Sequence, residues 1–376
     1  MIVKPRAIII ATKTKNRYKN QNTNDSRQKH STNIRKGATI MIAVTGGCGY
    51  IGSHTVVELC NAGESILVID NLCNASVKSL DRIHQITNQQ VAFEQVDLTN
   101  AKALDKVFST YKIDTVIHFA ALKSVAQSIQ NPLTYYHNNV LGTINLLCSM
   151  QKYGIHNLVY SSSATVYGIP QSCPIDENAH RTAINPYGST KIMVEDILQD
   201  ICQTNQKWNA VLLRYFNPIG SHPSHLLGEN PNGIPNNLMP YITSAVTGKL
   251  PPLQIFGGDY PTPDGTCIRD YIHIVDLARG HLAALNKARQ NCGLLAVNLG
   301  TGKGLSVLQI LQAFQKANGV EVPYTIVDRR VGDTAIMYAD TQKAEKILHW
   351  KANLTIEQAC KDHYQWQLKN LNGYDN

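Results

Sequence analysis

From residue 41 onward, short apolar runs alternate with stretches whose apolar residues recur at helical spacing. Residues 41–45 are an apolar run that stops at a cluster of glycines, and an amphipathic stretch follows over 51–61. Gly63 stands where a helix C-terminal cap belongs, and 65–70 is a second apolar run. The series continues with a strand over 91–96, a helix over 101–111, a buried strand over 115–119 and a long helix from Pro132 to about 153. A strand over 157–161, a helix over 186–206 and a strand over 211–215 complete it. Strands separated by helices of ten or more residues predict an α/β fold, a doubly wound parallel sheet with helices on both faces, which 211–215 closes. Beyond that point Pro, Gly and Asn become frequent and short helices are predicted over 238–247, 275–288, 306–317 and 356–368. The chain therefore divides into a first domain over 41–216 and a smaller lobe over 217–376, some segments of which pack back on the first.

The first turn carries chemistry. Gly47-x-Gly49-x-x-Gly52 fits the dinucleotide fingerprint of a Rossmann-type sheet, and Gly46 supplies the alternative Gly46-x-x-Gly49-x-x-Gly52 spacing of short-chain reductases. One glycine permits the turn, another lets a pyrophosphate approach the backbone, and the third packs helix on strand. The diphosphate then meets free N–H groups at a helix N-terminus. Asp70 ends the next strand, where an acid accepts from a ribose diol and favours NAD over a 2′-phosphorylated cofactor. Ligands of such sheets lie beyond the C-terminal strand ends, where Asp70, Asp97, Phe119, Ser161 to Ser163 and Phe216 fall.

Composition narrows the class without naming it. Hydrophobic content of 43% and charge of 16% describe a globular chain, and no apolar run reaches the length of a membrane span. Nine scattered cysteines with no Cys-x-x-Cys pair indicate neither a disulfide framework nor a zinc site, which points to a reducing cytoplasm and no metal. The net charge of +8 is confined to one end: residues 1–40 hold ten Lys and Arg against the single acid Asp25, leaving the rest near −1. The folded part therefore has no basic balance that calls for nucleic acid or a membrane surface. The basic head itself reads as disordered. It fits an organelle transit peptide, a nucleic-acid tail, or (the preferred reading) an extension upstream of a start at Met41.

After the fifth strand the chain reads Ser161-Ser-Ser-Ala-Thr, and Tyr187-Gly-Ser-Thr-Lys191 begins 24 residues past Ser163. On a helix Tyr187 and Lys191 share a face. An ammonium beside a phenol favours the phenolate and brings it toward working pH, and a serine hydroxyl bridges substrate and phenolate. Together they form a proton-transfer centre for oxidising an alcohol while a nicotinamide takes the hydride. Isolated histidines such as His54, His118 and His273 read as satisfied structural residues.

Seven segments in order, over 45–55, 70–74, 116–120, 161–168, 213–218, 234–240 and 264–273, resemble the UDP-glucose 4-epimerases, a family of extended short-chain dehydrogenases/reductases. The first and fourth segments are shared by many sugar-nucleotide enzymes; the last three point to the epimerases. The resemblance implies that NAD lies against Gly46, Gly49, Tyr50, Ile51, Gly52, Asp70, Asn71, Asn74, Asp97, Leu98, Phe119, Ala120, Lys123, Asn138, Lys191 and Phe216. It implies that a UDP-sugar meets Ser163, Tyr187, Asn217, Asn237, Leu238, Gln254, Phe256, Arg269, Arg330, Asp333 and Met337. The two arginines also make chemical sense, since a guanidinium fork matches a diphosphate oxygen pair. The implied reaction interconverts UDP-glucose and UDP-galactose through a 4-keto sugar, with Tyr187, Lys191 and Ser163 catalytic. A homodimer through the two long helices is implied as well. At the pocket wall of this family, bulk restricts N-acetylated sugars; Met337 is intermediate and flexible, so UDP-N-acetyl sugars stay candidates.

Other sugar-nucleotide enzymes fit less well. A dehydratase needs an acid pair beside the serine loop, where Ala164 and Thr165 stand, and no groups for a C6 carboxylate mark a uronate enzyme. A non-catalytic NAD-binding regulator has little reason to keep Ser163, Tyr187 and Lys191 together.

Overall fold

Seven parallel strands make the floor beside which the glycine turn, Asp70 and the Ser163, Tyr187 and Lys191 group are mounted. The computed structural model describes residues 39–375 apart from 232, 234, 236 and 331, so the reading of the basic head falls, but for its last two residues, outside the described residues. Strands β1 (Ile40–Thr45), β2 (Ile66–Asp70), β3 (Ala92–Gln95), β4 (Lys112–His118), β5 (Asn157–Ser161) and β6 (Asn209–Tyr215) follow the predicted order. Helices α1 (Tyr50–Asn61), α2 (Lys78–Thr87), α3 (Ala101–Thr110), α4 (Val125–Gln130), α5 (Pro132–Tyr135), α6 (Gly142–Lys152) and α7 (Pro186–Thr204) connect them. The order across the sheet is β3-β2-β1-β4-β5-β6-β10, where β10 is Leu294–Leu299.

That last strand corrects the expectation that 211–215 closes the sheet. β10 runs parallel beside β6, with Leu294 opposite Ala210 and Leu299 opposite Tyr215. The helix α9 (Ile274–Ala288) likewise packs on α1. Both lie past the change in composition, and a local pattern does not say which sheet a distant apolar run joins. The predicted helix from Pro132 is continuous but not uniform, since a π-helical turn over Tyr136–Leu141 separates α5 from α6.

The parallel strands bury both faces, which is why they read as unbroken apolar runs. Along β1, Ile42 and Val44 face a core with Val56, Val57 and Leu59 of α1 and Leu277 of α9. Met41 and Ala43 face the other core, with Leu104 and Phe108 of α3, Leu146 of α6 and Val194 and Leu198 of α7. Doubly wound sheets with one helix layer per face require this period of two.

The remaining strands β7 (Asn217–Ile219), β8 (Leu253–Phe256), β9 (Ile268–His273), β11 (Gly304–Ser306), β12 (Tyr324–Val327) and β13 (Ile336–Met337) belong to the second lobe. So do α8 (Leu238–Val246), α10 (Val307–Asn318) and α11 (Ile356–Lys369). β9 is central, flanked by β7, β11 and β13, while β8 pairs with β12. Ile219, Met239, Ile242, Leu253, Phe314 and Cys360 share the core of this lobe.

Asp270 of β9 ties these pieces together. Fully buried, it accepts from Thr301 N (2.8 Å), Thr301 Oγ1 (2.7 Å), Gly302 N (3.0 Å) and Ala339 N (3.2 Å). Removing it would leave three N–H groups, one buried and two part-buried, without this acceptor. Asp270→Ala is expected to lower unfolding stability by about 3 kcal/mol in urea titration, and Asp270→Asn by less.

Candidate active site

The turn from β1 into α1 is built for close approach. Gly46 has φ +70°, and a Cβ there would lie 2.7 Å from Ala120 N. A Cβ on Gly52 would lie 2.2 Å from Gly46 O, so the helix can sit this near the turn only without a side chain. Gly49 caps α1 with no side-chain bond and no acid occupies the first turn. The first N–H groups, from Tyr50, Ile51 and Gly52, thus have no partner within the helix and suit a diphosphate. The phenol of Tyr50 points elsewhere, donating to Gly220 O at 2.7 Å, so Tyr50 offers its backbone to the turn.

Asp70 lies at the end of β2. Its Oδ2 accepts from Cys48 N (3.0 Å) and its Oδ1 from Leu72 N (2.9 Å), which leaves lone pairs for a ribose diol. Asn71 donates to Asp97 at 2.9 Å beside it, and Asp97 also accepts from Thr99. Leu98 and Phe216 are buried, the Phe119 ring stacks on His281, and Asn74 is exposed. Ala120 N donates to Thr45 Oγ1, and Asn138 donates to Asn139 at 2.9 Å. Asn139, turned inward by the π-helical segment, binds both Leu122 N (2.8 Å) and Thr190 Oγ1 (3.1 Å), which fixes the loop carrying Ala120 and Lys123. The residues present fit NAD: a cradle that side chains would fill, unpartnered N–H groups at a helix start, and an acid at ribose distance along the chain.

Ser163, Tyr187 and Lys191 assemble between β5 and α7. Ser163 caps a single 3₁₀ turn, Ala164–Tyr167, and its hydroxyl accepts from Thr165 N and Oγ1 and lies near enough to the Tyr187 phenol to favour its charged form. Asn185 caps α7 by accepting from Gly188 N, and Pro186 occupies the first helical position, which places Tyr187 in the first turn. Lys191 Nζ donates to Ser161 O at 2.6 Å and lies 4.9 Å from the Tyr160 ring centre and 5.8 Å from that of Tyr187. Burial pushes the Tyr187 phenol up to about 12, against the lowering bond from Ser163. Burial brings the Lys191 ammonium down to about 7, with Glu195 acting the other way. In the protein alone, desolvation dominates both groups and the lysine is directed at a backbone carbonyl.

A second cluster lies on the smaller lobe. The Arg330 guanidinium sits 5.1 Å over the Phe256 ring and forks onto Asp333 at 3.1 and 3.2 Å. Arg269 reaches the same carboxylate at 3.9 Å and is paired in register with Met337 across β9 and β13. Gln254 shares the outward side of β8 with Phe256. Asn237 donates to Glu229 at 2.5 Å, and Lys123 reaches the same oxygen at 3.3 Å; Leu238 follows at the start of α8. Asn217 is exposed on β7. Glu229, nearly buried, was not foreseen from the sequence; only its tertiary neighbours single it out. Glu195 was also missed, although its place four residues after Lys191 signals the same helix face. His118 is bonded between Thr45 and Thr143, and burial with the Lys191 charge brings it down to about 3. Among the described residues no three His, Cys, Asp or Glu side chains are placed to share a metal ion.

A nucleotide cradle, a tyrosine–lysine–serine group at the strand ends and a cationic cleft define an extended short-chain reductase. In keeping with this, residues 42–300 match the NAD dependent epimerase/dehydratase family, to which the chain belongs. Among proteins of that family it is 53% identical over 333 residues to the UDP-glucose 4-epimerase of Bacillus subtilis, covering 89% of this chain and 98% of that one. The UDP-glucose 4-epimerase of Stenotrophomonas maltophila, solved with NAD and formylated UDP-arabinopyranose, superimposes with TM-score 0.87 at 46% identity, over 89% of this chain and 99% of that one. That of Bifidobacterium longum, solved with NAD+ and UDP, gives 0.85 at 46% identity over 89% and 100%. The chain is an NAD-dependent epimerase.

Gly52→Ala tests the cradle directly. The purified variant is expected to have lost its NAD, read by extraction and absorbance, whereas the wild type retains it.

Proposed function

We propose that this chain interconverts UDP-glucose and UDP-galactose by oxidation and re-reduction at C4 of the sugar, using Tyr187 as the acid–base group. The observation that carries the reading is the convergence of Ser163, Tyr187 and Lys191 at the strand ends beside the glycine turn. Bound in the cradle, NAD supplies hydride acceptance from the sugar C4 and its return to the opposite face. Tyr187 takes the proton from the sugar O4 and later gives it back. Ser163 holds the O4 hydroxyl in line with the phenol, and Lys191 supplies the positive charge that the phenolate needs. Burial keeps water from this group, which protects the 4-keto sugar and strengthens each charge. Phe256, Arg269, Arg330 and Asp333 hold the nucleotide, while Asn217, Asn237, Leu238 and Gln254 line its approach. Contacts gathered on UDP leave the hexose free to turn over while tethered. Met337 forms the wall beside Arg269, and its flexible side chain supports acceptance of N-acetylated UDP-sugars as well.

Purified protein given UDP-galactose without added cofactor should yield UDP-glucose, resolved by chromatography. Tyr187→Phe should lower kcat by at least about 100-fold with little change in KM. Full activity of that variant would overturn the assignment.

A homodimer is supported by the apolar surface of the helices that carry the site. Ile129, Leu133, Leu141, Ile144 and Met193 are exposed on α4 to α7, and Leu133 is 81% exposed. A cluster of this kind favours burial against a second copy. Leu133→Asp is expected to shift the protein to monomer in light scattering. Nine scattered thiols support a reducing, cytoplasmic location, and no helix among the described residues is long and apolar enough to cross a membrane.

A further inference from the structure

We propose that Glu195 is a positioning residue for proton transfer at Tyr187: with Arg214 as counter-ion, its carboxylate seats Ser162 and so places Ser163 against the phenol. The inference rests on the assignment of Tyr187 above and adds to it a group that touches neither sugar nor cofactor.

Glu195 is almost fully buried, so its charge must be compensated. Four donors do this. Arg214 forks onto it at 2.9 and 2.6 Å, Arg181 adds a bond at 3.1 Å, and Ser162 Oγ donates at 2.5 Å. An ion pair that only stabilised the core would be complete with the arginines. The serine bond instead joins it to the residue immediately before Ser163. The arginine extends the same grip to the other end of the serine turn. Arg214 Nη1 donates to Tyr167 OH at 3.1 Å and to Glu177 O at 3.0 Å, and Tyr167 OH donates to Asn298 at 2.6 Å. The short turn that Ser163 caps is therefore pinned at both ends by one buried pair.

The geometry of α7 explains why this matters for the reaction. Tyr187, Lys191 and Glu195 recur every fourth residue along one face. Lys191 holds Ser161 O while Glu195 holds Ser162 Oγ, so consecutive residues of the loop are grasped by consecutive turns of the helix that bears the phenol. Ser163 and Tyr187 thus share one rigid frame, and a displacement of the loop would separate hydroxyl from phenol.

The charges around the phenol give a readout that simple loss of packing would not. Tyr160 faces it from β5, Tyr215 from β6, Tyr135 from α5 and Lys191 from α7 itself; around Lys191 stand His118 of β4 and Glu195, the latter paired with Arg214 of β6 and with Arg181. Tyr160, Tyr187 and Tyr215 are held neutral by burial, as is His118. Glu195 is then the negative charge that balances Arg214 behind Lys191. Without it, the uncompensated guanidinium favours the phenolate and disfavours the ammonium, and both move the working pH down.

Three variants of the NAD-loaded enzyme test this, with Tyr187→Phe as reference. Ser162→Ala leaves the ion pair whole and is expected to lower kcat for UDP-galactose by about 10-fold while KM stays within about twofold and the bound NAD is unchanged. Glu195→Gln should lower kcat similarly and shift the entire kcat–pH profile to lower pH; Glu195→Gln with Arg214→Gln should return the profile to its wild-type position. Ser162→Ala with wild-type kcat, beside an inactive Tyr187→Phe, would overturn the positioning role and spare the base assignment. An active Tyr187→Phe would overturn the base assignment itself. Should the Glu195 variants fail to fold, Ser162→Ala decides the matter alone.

Discussion

One helix face, bearing a phenol, an ammonium and a carboxylate at four-residue spacing, sets the terms for the rest of the molecule. Lys191 and Glu195 are buried and Tyr187 is partly buried, and withdrawing such groups from water is costly unless each finds a partner. Ser163 meets Tyr187, the carbonyl of Ser161 meets Lys191, and Ser162 with two arginines meets Glu195. These partners come from the ends of β5 and β6, so the helix can bear this face only where a parallel sheet delivers two adjacent strand ends beside it. The glycine turn stands at the end of β1, two strands from β5 across β4, and the shared sheet thereby holds the turn and the Ser163–Tyr187 pair in fixed relation.

The smaller lobe solves a different problem with the same device of shared carboxylates. Asp333 receives both Arg330 and Arg269, Glu229 receives Lys123 and Asn237, and Asp270 gathers the loops around β9. Two arginines on one aspartate remain net positive, and the shared carboxylate orients both cations. Glu229 joins Lys123, in the loop after β4, to Asn237 at the start of α8, which links the two sets of elements. An enzyme whose intermediate must turn over in place requires this division: a firmly held nucleotide, and a sugar with room to rotate.

Much of this was legible from residues alone, for reasons that can be named. The first six strands were placed because parallel strands buried on both faces leave unbroken apolar runs. Gly46 and Gly52 were identifiable because no other residue tolerates a contact near 2 Å or a left-handed turn against a neighbouring strand. Tyr187 and Lys191 stood out because helical spacing and side-chain chemistry agree. The surroundings of that pair were not legible in the same way. Spacing shows that an ammonium is near a phenol, but not that both are stripped of water and that the lysine is directed at Ser161 O.

Sequence by itself determined what depends on neighbours along the chain: the alternation of strand and helix, the glycine turn with Asp70 at the next strand end, and the helical spacing of Tyr187 and Lys191. Only the tertiary structure decided what depends on residues brought together from afar. β10 joins the first sheet across a chain separation of about 80 residues from β6, Arg214 reaches Glu195, and Lys123 meets Glu229. Local periodicity carries no record of such pairings, because desolvation and hydrogen-bond closure act on the folded surface and not on the order of residues.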